Sequence, residues 1–146
     1  MAVAGYPEKH LEAESFETDL LNLKRKVDVG ADLVVTQLFY DNDSFFRFRD
    51  NATSAGITVP IVPGLMPIQS SGQIQRITSM CGASIPDDLQ CRLDDTLDDD
   101  ERAKAIGIEQ CIAQTSELLR SGVPGIHFYV LNKSRHMGDI LDDVSF

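Results

Sequence analysis

Leu33-Val34-Val35-Thr36-Gln37-Leu38-Phe39 is an unbroken, largely β-branched apolar run that ends on an amide, a leucine and an aromatic ring. Such a run predicts a strand covered on both faces, as in parallel sheets flanked by helices. Upstream, Phe16, Leu20, Leu23 and Val27 fall at i, i+4, i+7 and i+11. That spacing predicts an amphipathic helix, with Ser15 as N-cap, Lys24, Arg25 and Lys26 in its last turns and Gly30 as its stop. A short apolar run, Ala2 to Gly5, reads as an earlier strand, joined to the helix by a polar loop from Tyr6 to Glu14. Downstream, Asp41 to Asp43 offer caps for a helix from about Ser44 to Ser54. Pro60 to Gly64 is a third, short strand bracketed by prolines. Ser70 and Ser71 start a helix toward Met80, Pro86 begins a short one, and Asp98 to Glu101 open a long one that ends before Gly122. Ile126 to Val130 is the fourth strand, and a last helix runs from about Ser134 to Leu141.

Strands alternating with helices require right-handed crossovers and a parallel sheet. A segment of a closed (β/α) barrel and an open doubly wound sheet both satisfy this pattern. The predicted strands end on Gly5-Tyr6-Pro7, Thr36 to Phe39, Pro63 to Pro67 and His127 to Asn132. Barrels carry function at the C-terminal ends of their strands. A full barrel takes about 250 residues and eight strands, so 146 residues with four predicted strands amount to about half of one. Four parallel strands alone leave two raw edges. A partner is therefore expected: a missing half-barrel, or a second copy in a homo-oligomer.

Composition narrows the function classes. The chain is 42% hydrophobic and 25% charged, ordinary values for a soluble globular domain. No apolar run approaches the roughly 18 residues needed to cross a bilayer, and the first residues lack a signal peptide's basic and apolar regions. The net charge of −10 disfavours nucleic acid and anionic membrane surfaces, although a local basic pocket can still hold a phosphate. Cys81, Cys91 and Cys111 are odd in number and form no Cys-x-x-Cys pair, which points to a reducing, cytoplasmic setting. The acids between Asp87 and Glu101 lack calcium-loop spacing, and no zinc-ligand spacing occurs, so no metal is expected. Dinucleotide glycine fingerprints, P-loops and serine-nucleophile elbows are also missing.

Several polar groups are placed for binding. Asp19, Asn22 and Lys26 form a second helix stripe, with Arg25 one step round; together they can hold a ribose hydroxyl and a phosphate, and equally they make an ordinary solvated face. Tyr6 and His10 flank a strand-end loop, where a ring can stack and an imidazole can donate. Gln37, at the end of an apolar strand, offers both a donor and an acceptor to a heterocycle edge. Gln73 and Lys133 can complete the rim. His127, inside a strand, reads as a hydrogen-bonded core residue.

These blocks resemble the methylenetetrahydrofolate reductase family. Ala2-Val3-Ala4-Gly5-Tyr6-Pro7-Glu8 with His10, Glu12 and Ala13 is similar to the family's fifth strand and following loop. Asp19 to Val27 is similar to its next helix. Gly30-Ala31-Asp32 through Phe39, Pro60 to Gly64, and His127 to Asn132 resemble its later strands. The resemblance covers nearly the whole chain and implies an α/β TIM-barrel segment, residues 1–146 forming strands five to eight of a (β/α)8 barrel. It further implies an FAD flavoprotein of one-carbon metabolism and methionine biosynthesis, an oxidoreductase that uses NADH or NADPH to reduce 5,10-methylenetetrahydrofolate to 5-methyltetrahydrofolate. By motif position, Tyr6, His10, Leu11, Glu12, Ala13, Asp19, Asn22, Arg25 and Lys26 would contact FAD. Gln37 would bind the pterin, with Gln73, Tyr129 and Lys133 near folate or nicotinamide. Three departures stand out: Lys133 replaces a usual arginine, Leu11 a usual proline, and Ile77 an occasional substrate-stacking phenylalanine. The family's catalytic glutamate and its flavin-side aspartate lie on its first and fourth strands, and no residue here matches them. Reductase chemistry would therefore need the other half. A half-barrel binding or interaction module without that chemistry is the alternative expectation.

Overall fold

The computed structural model describes residues 1–131 and 135–144. Four strands, β1 (Ala2–Gly5), β2 (Leu33–Leu38), β3 (Ile61–Leu65) and β4 (His127–Phe128), pair in parallel in the order of the chain. The helices are α1 (Phe16–Asp28), α2 (Asn42–Ser54), α3 (Ser71–Cys81), α4 (Asp87–Asp94), α5 (Asp100–Arg120) and α6 (Arg135–Asp143). A doubly wound sheet reverses strand order at a switch point and carries helices on both faces. Here the order never reverses, and α1, α2, α5 and α6 pack on one face, so the chain is a barrel segment.

Caps fix the helix starts. The Ser15 side chain accepts from the Thr18 N–H, Asp41 from Asp43, Ser70 from Gln73 and Asp99 from Arg102. Asp41 thus starts α2 at Asn42, two residues before the expected Ser44. The helix-covered face of the sheet gives one core, in which Val34, Ile61 and Leu65 meet Leu23 of α1, Phe45 and Phe48 of α2 and Leu118 of α5. A second cluster beyond the strand ends joins Leu38, Tyr40, Met66 and Ile68 to Ile74, Leu89 and Leu93.

Burial along β2 alternates, with Val34, Thr36 and Leu38 buried and Leu33, Val35 and Gln37 half-buried. This corrects the expectation of a strand covered on both faces. A continuous apolar run suits a barrel strand because the lumen face is as apolar as the helix face, but in this chain that lumen face stays partly open. Ala4, Val35 and Val62 share it, since Ala4 pairs with Val35 and Val35 with Val62. The fourth strand is also shorter than Ile126 to Val130; only His127 and Phe128 pair, with Gly64 and Leu65. His127 is exposed rather than a core residue, because its side of the strand is the open one.

Candidate functional site at the strand ends

The loop after β1 folds across the end of β2. Its backbone turns at Lys9, whose φ of 98° is left-handed territory that a lysine rarely enters. Lys9 Nζ donates to the Ala13 carbonyl at 2.6 Å and the His10 N–H donates to Asp19 Oδ2 at 2.9 Å, tying the loop to α1. Glu8 receives the Ser84 N–H at 3.0 and 3.1 Å and the Ser84 hydroxyl, tying the loop's other side to the α3–α4 connection. Leu11 lies against Gly82, the left-handed cap of α3; a Cβ there would come within 2.5 Å of Leu11 Cδ2. These ties close the loop over β2, and strain at Lys9 is the kind that surrounding contacts must over-determine.

Within this frame the predicted residues are placed along the loop, the helix and the rim. Tyr6 and His10 stack edge-to-face at 4.6 Å between ring centroids. Tyr6 and Gln37 line one small crevice with Glu8, Lys9 and Leu38. On α1, Asp19 is half-buried while Asn22, Arg25 and Lys26 are exposed. Asn22 accepts from Arg25 Nη1 at 3.0 Å, so the stripe is partly self-paired. Leu11 and Glu12 are exposed and Ala13 half-buried; the Glu12 N–H donates to His10 Nδ1 at 3.1 Å. Gln73 lies apart, beside a rim cleft of about 740 Å³ with Ser70, Arg76 and Lys104, and its Oε1 accepts from the Gln69 N–H at 2.8 Å. Lys133 lies outside the described residues.

Gln37 is partly engaged within the chain. Its Oε1 already accepts the Leu38 N–H at 2.9 Å, which leaves the Nε2 hydrogens to face a ligand. Beside it the β2–β3 register shifts between Val35 and Leu38. There the Gly64 N–H donates to Thr36 Oγ1 at 2.9 Å, and the Tyr129 hydroxyl donates to the Thr36 carbonyl at 2.9 Å. A Cβ on Gly64 would sit 2.3 Å from the Thr36 oxygen and 2.7 Å from Tyr129 Cε2, so only glycine permits this closure. Burial, and then Asp19, raise the Tyr6 phenol above its usual range; burial, and then Tyr6, raise Tyr129. Both are therefore neutral donors near pH 7.

Sequence reading missed the Thr36–Gly64–Tyr129 contact and the Glu8–Ser84 tie. A glycine inside a strand is a signal for close backbone approach. Nothing in the sequence signals a Glu8–Ser84 pair 76 residues apart.

Among the described residues, no group of three or more His, Cys, Asp or Glu is placed to hold a metal, and no helix is long and apolar enough to cross a membrane. The family model for methylenetetrahydrofolate reductase matches residues 1–145. The 5,10-methylenetetrahydrofolate reductase of Escherichia coli strain K12 is 43% identical over 134 residues, covering 92% of this chain and 45% of that protein. The methylenetetrahydrofolate reductase (NADH) 1 of Zea mays is 41% identical over 150 residues, 97% of this chain and 25% of that protein. The chain thus spans just under half of the bacterial relative and a quarter of the plant one. Among solved structures, an uncharacterized Clostridium thermocellum protein, described as binding two copies of 5-methyl-5,6,7,8-tetrahydrofolic acid, aligns with a TM-score of 0.62 at 19% identity, over 97% of this chain and 51% of that one. At that identity the likeness shows the shared fold.

Proposed function

The chain belongs to the methylenetetrahydrofolate reductase family, and from that premise we propose that it supplies strands five to eight of an FAD-dependent barrel. That barrel reduces 5,10-methylenetetrahydrofolate to 5-methyltetrahydrofolate with NADH or NADPH. The observation that carries the reading is the joint placement of Gln37 and Tyr6 at the ends of adjacent strands, with the polar face of α1 beginning on the same rim.

The donor set fits FAD. Arg25 and Lys26 are exposed cations suited to a diphosphate, and Asp19 uses one carboxylate oxygen on His10 and keeps the other for a ribose hydroxyl. Tyr6 and His10 present a rigid aromatic pair, with Leu11, Glu12 and Ala13 shaping the same loop. Bound there, FAD would carry the two electrons between nicotinamide and folate. Gln37 would hold acceptor atoms of the pterin through Nε2, with Gln73, Tyr129 and Lys133 around the folate or nicotinamide. The free thiols Cys81, Cys91 and Cys111 fit a cytoplasmic setting.

Among the described residues no strand position is Asp or Glu, and we assign no catalytic acid to this chain. A positioned acid is worth roughly 10²–10⁴ in rate. The chain alone should therefore give no steady turnover of 5,10-methylenetetrahydrofolate with FAD and NAD(P)H. Joined to the first four strand–helix units of the Escherichia coli relative, it should gain turnover. Steady turnover by the chain alone, free of host reductase, would refute the half-site assignment. A joined barrel that folds and binds FAD but neither binds nor reduces folate would favour a binding module instead.

A further inference from the structure

We propose that Tyr129 is a positioning residue, whose hydroxyl, held on the Thr36 carbonyl across Gly64, fixes the Thr36–Gln37 peptide and so aims the Gln37 side-chain amide. The inference rests on the folate-binding reading of Gln37 and deepens it. A peptide unit is planar, so an anchored Thr36 oxygen also sets the Gln37 nitrogen and narrows the direction of the Gln37 side chain. The anchor is built from three strands. Thr36 is fully buried on β2, Gly64 on β3 brings its N–H to Thr36 Oγ1, and Tyr129 follows β4 directly.

Tyr129 is itself pinned. Its N–H donates to the Leu65 carbonyl at 2.8 Å, and its ring meets His127 edge-to-face at 4.6 Å. Its hydroxyl is 2.9 Å from the Thr36 oxygen. Just beyond this anchor the ladder slips, and the Leu38 N–H is met by Gln37 Oε1. With that oxygen engaged, the Nε2 hydrogens have a defined direction. Through this hydrogen bond Tyr129 acts on a ligand by way of Gln37.

The test is Tyr129→Phe, which keeps the ring over Gly64 and deletes only the hydroxyl. Amide hydrogen exchange of the purified chain should speed up at Leu38 by about tenfold, the size of one net hydrogen bond. The Val34 amide, bonded to the Pro60 carbonyl at 2.9 Å on the same strand, should keep its rate. Unchanged exchange at Leu38, or equal acceleration at Val34 from general loosening, overturns the proposal. A second arm titrates 5-methyltetrahydrofolate into the joined barrel, with Gln37 present and with Gln37→Ala. Tyr129→Phe should weaken binding about tenfold when Gln37 is present and have no effect in Gln37→Ala. Equal weakening in both backgrounds would mean direct contact with the ligand and would overturn the positioning role. If the unsubstituted joined barrel folds and binds FAD but binds no 5-methyltetrahydrofolate, the folate reading fails there, and the exchange rates alone still decide the anchor.

Discussion

Gln37 shows how one contact narrows a residue's chemistry. Its oxygen is engaged by the Leu38 N–H, which orients the amide so that its donor pair faces the mouth of a strand. In the joined barrel, Gln37→Ala should slow folate-dependent flavin reoxidation by roughly tenfold to a hundredfold, the cost of an unmade bond of about 1–3 kcal/mol. Reduction by NAD(P)H should change far less; stopped-flow measurement of the two half-reactions checks this, and equal slowing would remove Gln37 from the folate site. Cys111 shows burial outweighing the opposing hydrogen bond with Thr115, pushing its thiol up to about 11 from an ordinary 9.0. An acid whose folded pKa is raised keeps its proton longer in the folded state, so stability is complete below the unfolded pKa and falls as pH rises through the folded one. Between pH 9 and pH 11 the chain should lose on the order of 2–3 kcal/mol from this group. Urea midpoints across that window should fall, and Cys111→Ala should flatten the fall. Tyr40, also raised by burial, extends the loss to more alkaline solution.

Asn42 and Gln114 lock two helices. Asn42 Nδ2 donates to the Gln114 carbonyl at 3.2 Å and to Glu117 Oε2 at 2.6 Å, and Gln114 Nε2 donates to the Phe39 carbonyl at 3.3 Å and to Asn42 Oδ1 at 3.2 Å. The start of α2 is thereby fixed to the middle of α5, behind the strand end that carries Gln37. Both residues are buried, so deleting one leaves polar atoms of the other without water. Asn42→Ala should cost about 1–3 kcal/mol, read as a lower urea midpoint. Asn42→Asp should cost more, because it sets a carboxylate against Glu117. The exposed neighbour Asp43 is the control: Asp43→Asn should stay within about 0.5 kcal/mol.

At the scale of the whole molecule, helices cover one face of the sheet and leave the other half-open, with β1 and β4 each unpaired on one side among the described residues. The FAD face proposed on α1 would hold a ribose and diphosphate, and in that reading the wall for the isoalloxazine ring would come from the other half of the barrel. FAD should therefore bind weakly and separate from the monomeric chain on gel filtration, followed by absorbance near the flavin band. Stoichiometric FAD on a monomer would refute the half-pocket. FAD retained on a dimer would mean that two copies have closed a barrel, pairing β4 of each with β1 of the other.

Periodicity and caps were enough to read the sequence as strands and helices in the right order, because those signals are local: Ser15, Asp41 and Ser70 each cap the helix that follows, and Phe16 to Val27 carry one apolar stripe. The same signals left barrel and doubly wound sheet equally open, since both place helices between parallel strands; only the unreversed strand order and the one-sided helix layer chose between them. Burial was misread where it depends on what lies across space. The run at β2 looked covered on both faces and His127 looked internal, because apolar character does not say which neighbours are present. The candidate residues Tyr6, His10 and Gln37 were legible as polar groups at strand ends. That Gln37 turns its oxygen back onto the Leu38 N–H, that Lys9 carries the strain of the loop, and that Tyr129 reaches Thr36 over Gly64 required tertiary structure. Each of these depends on hydrogen bonds and close approaches formed only once the loop has folded and strands distant in the chain lie side by side.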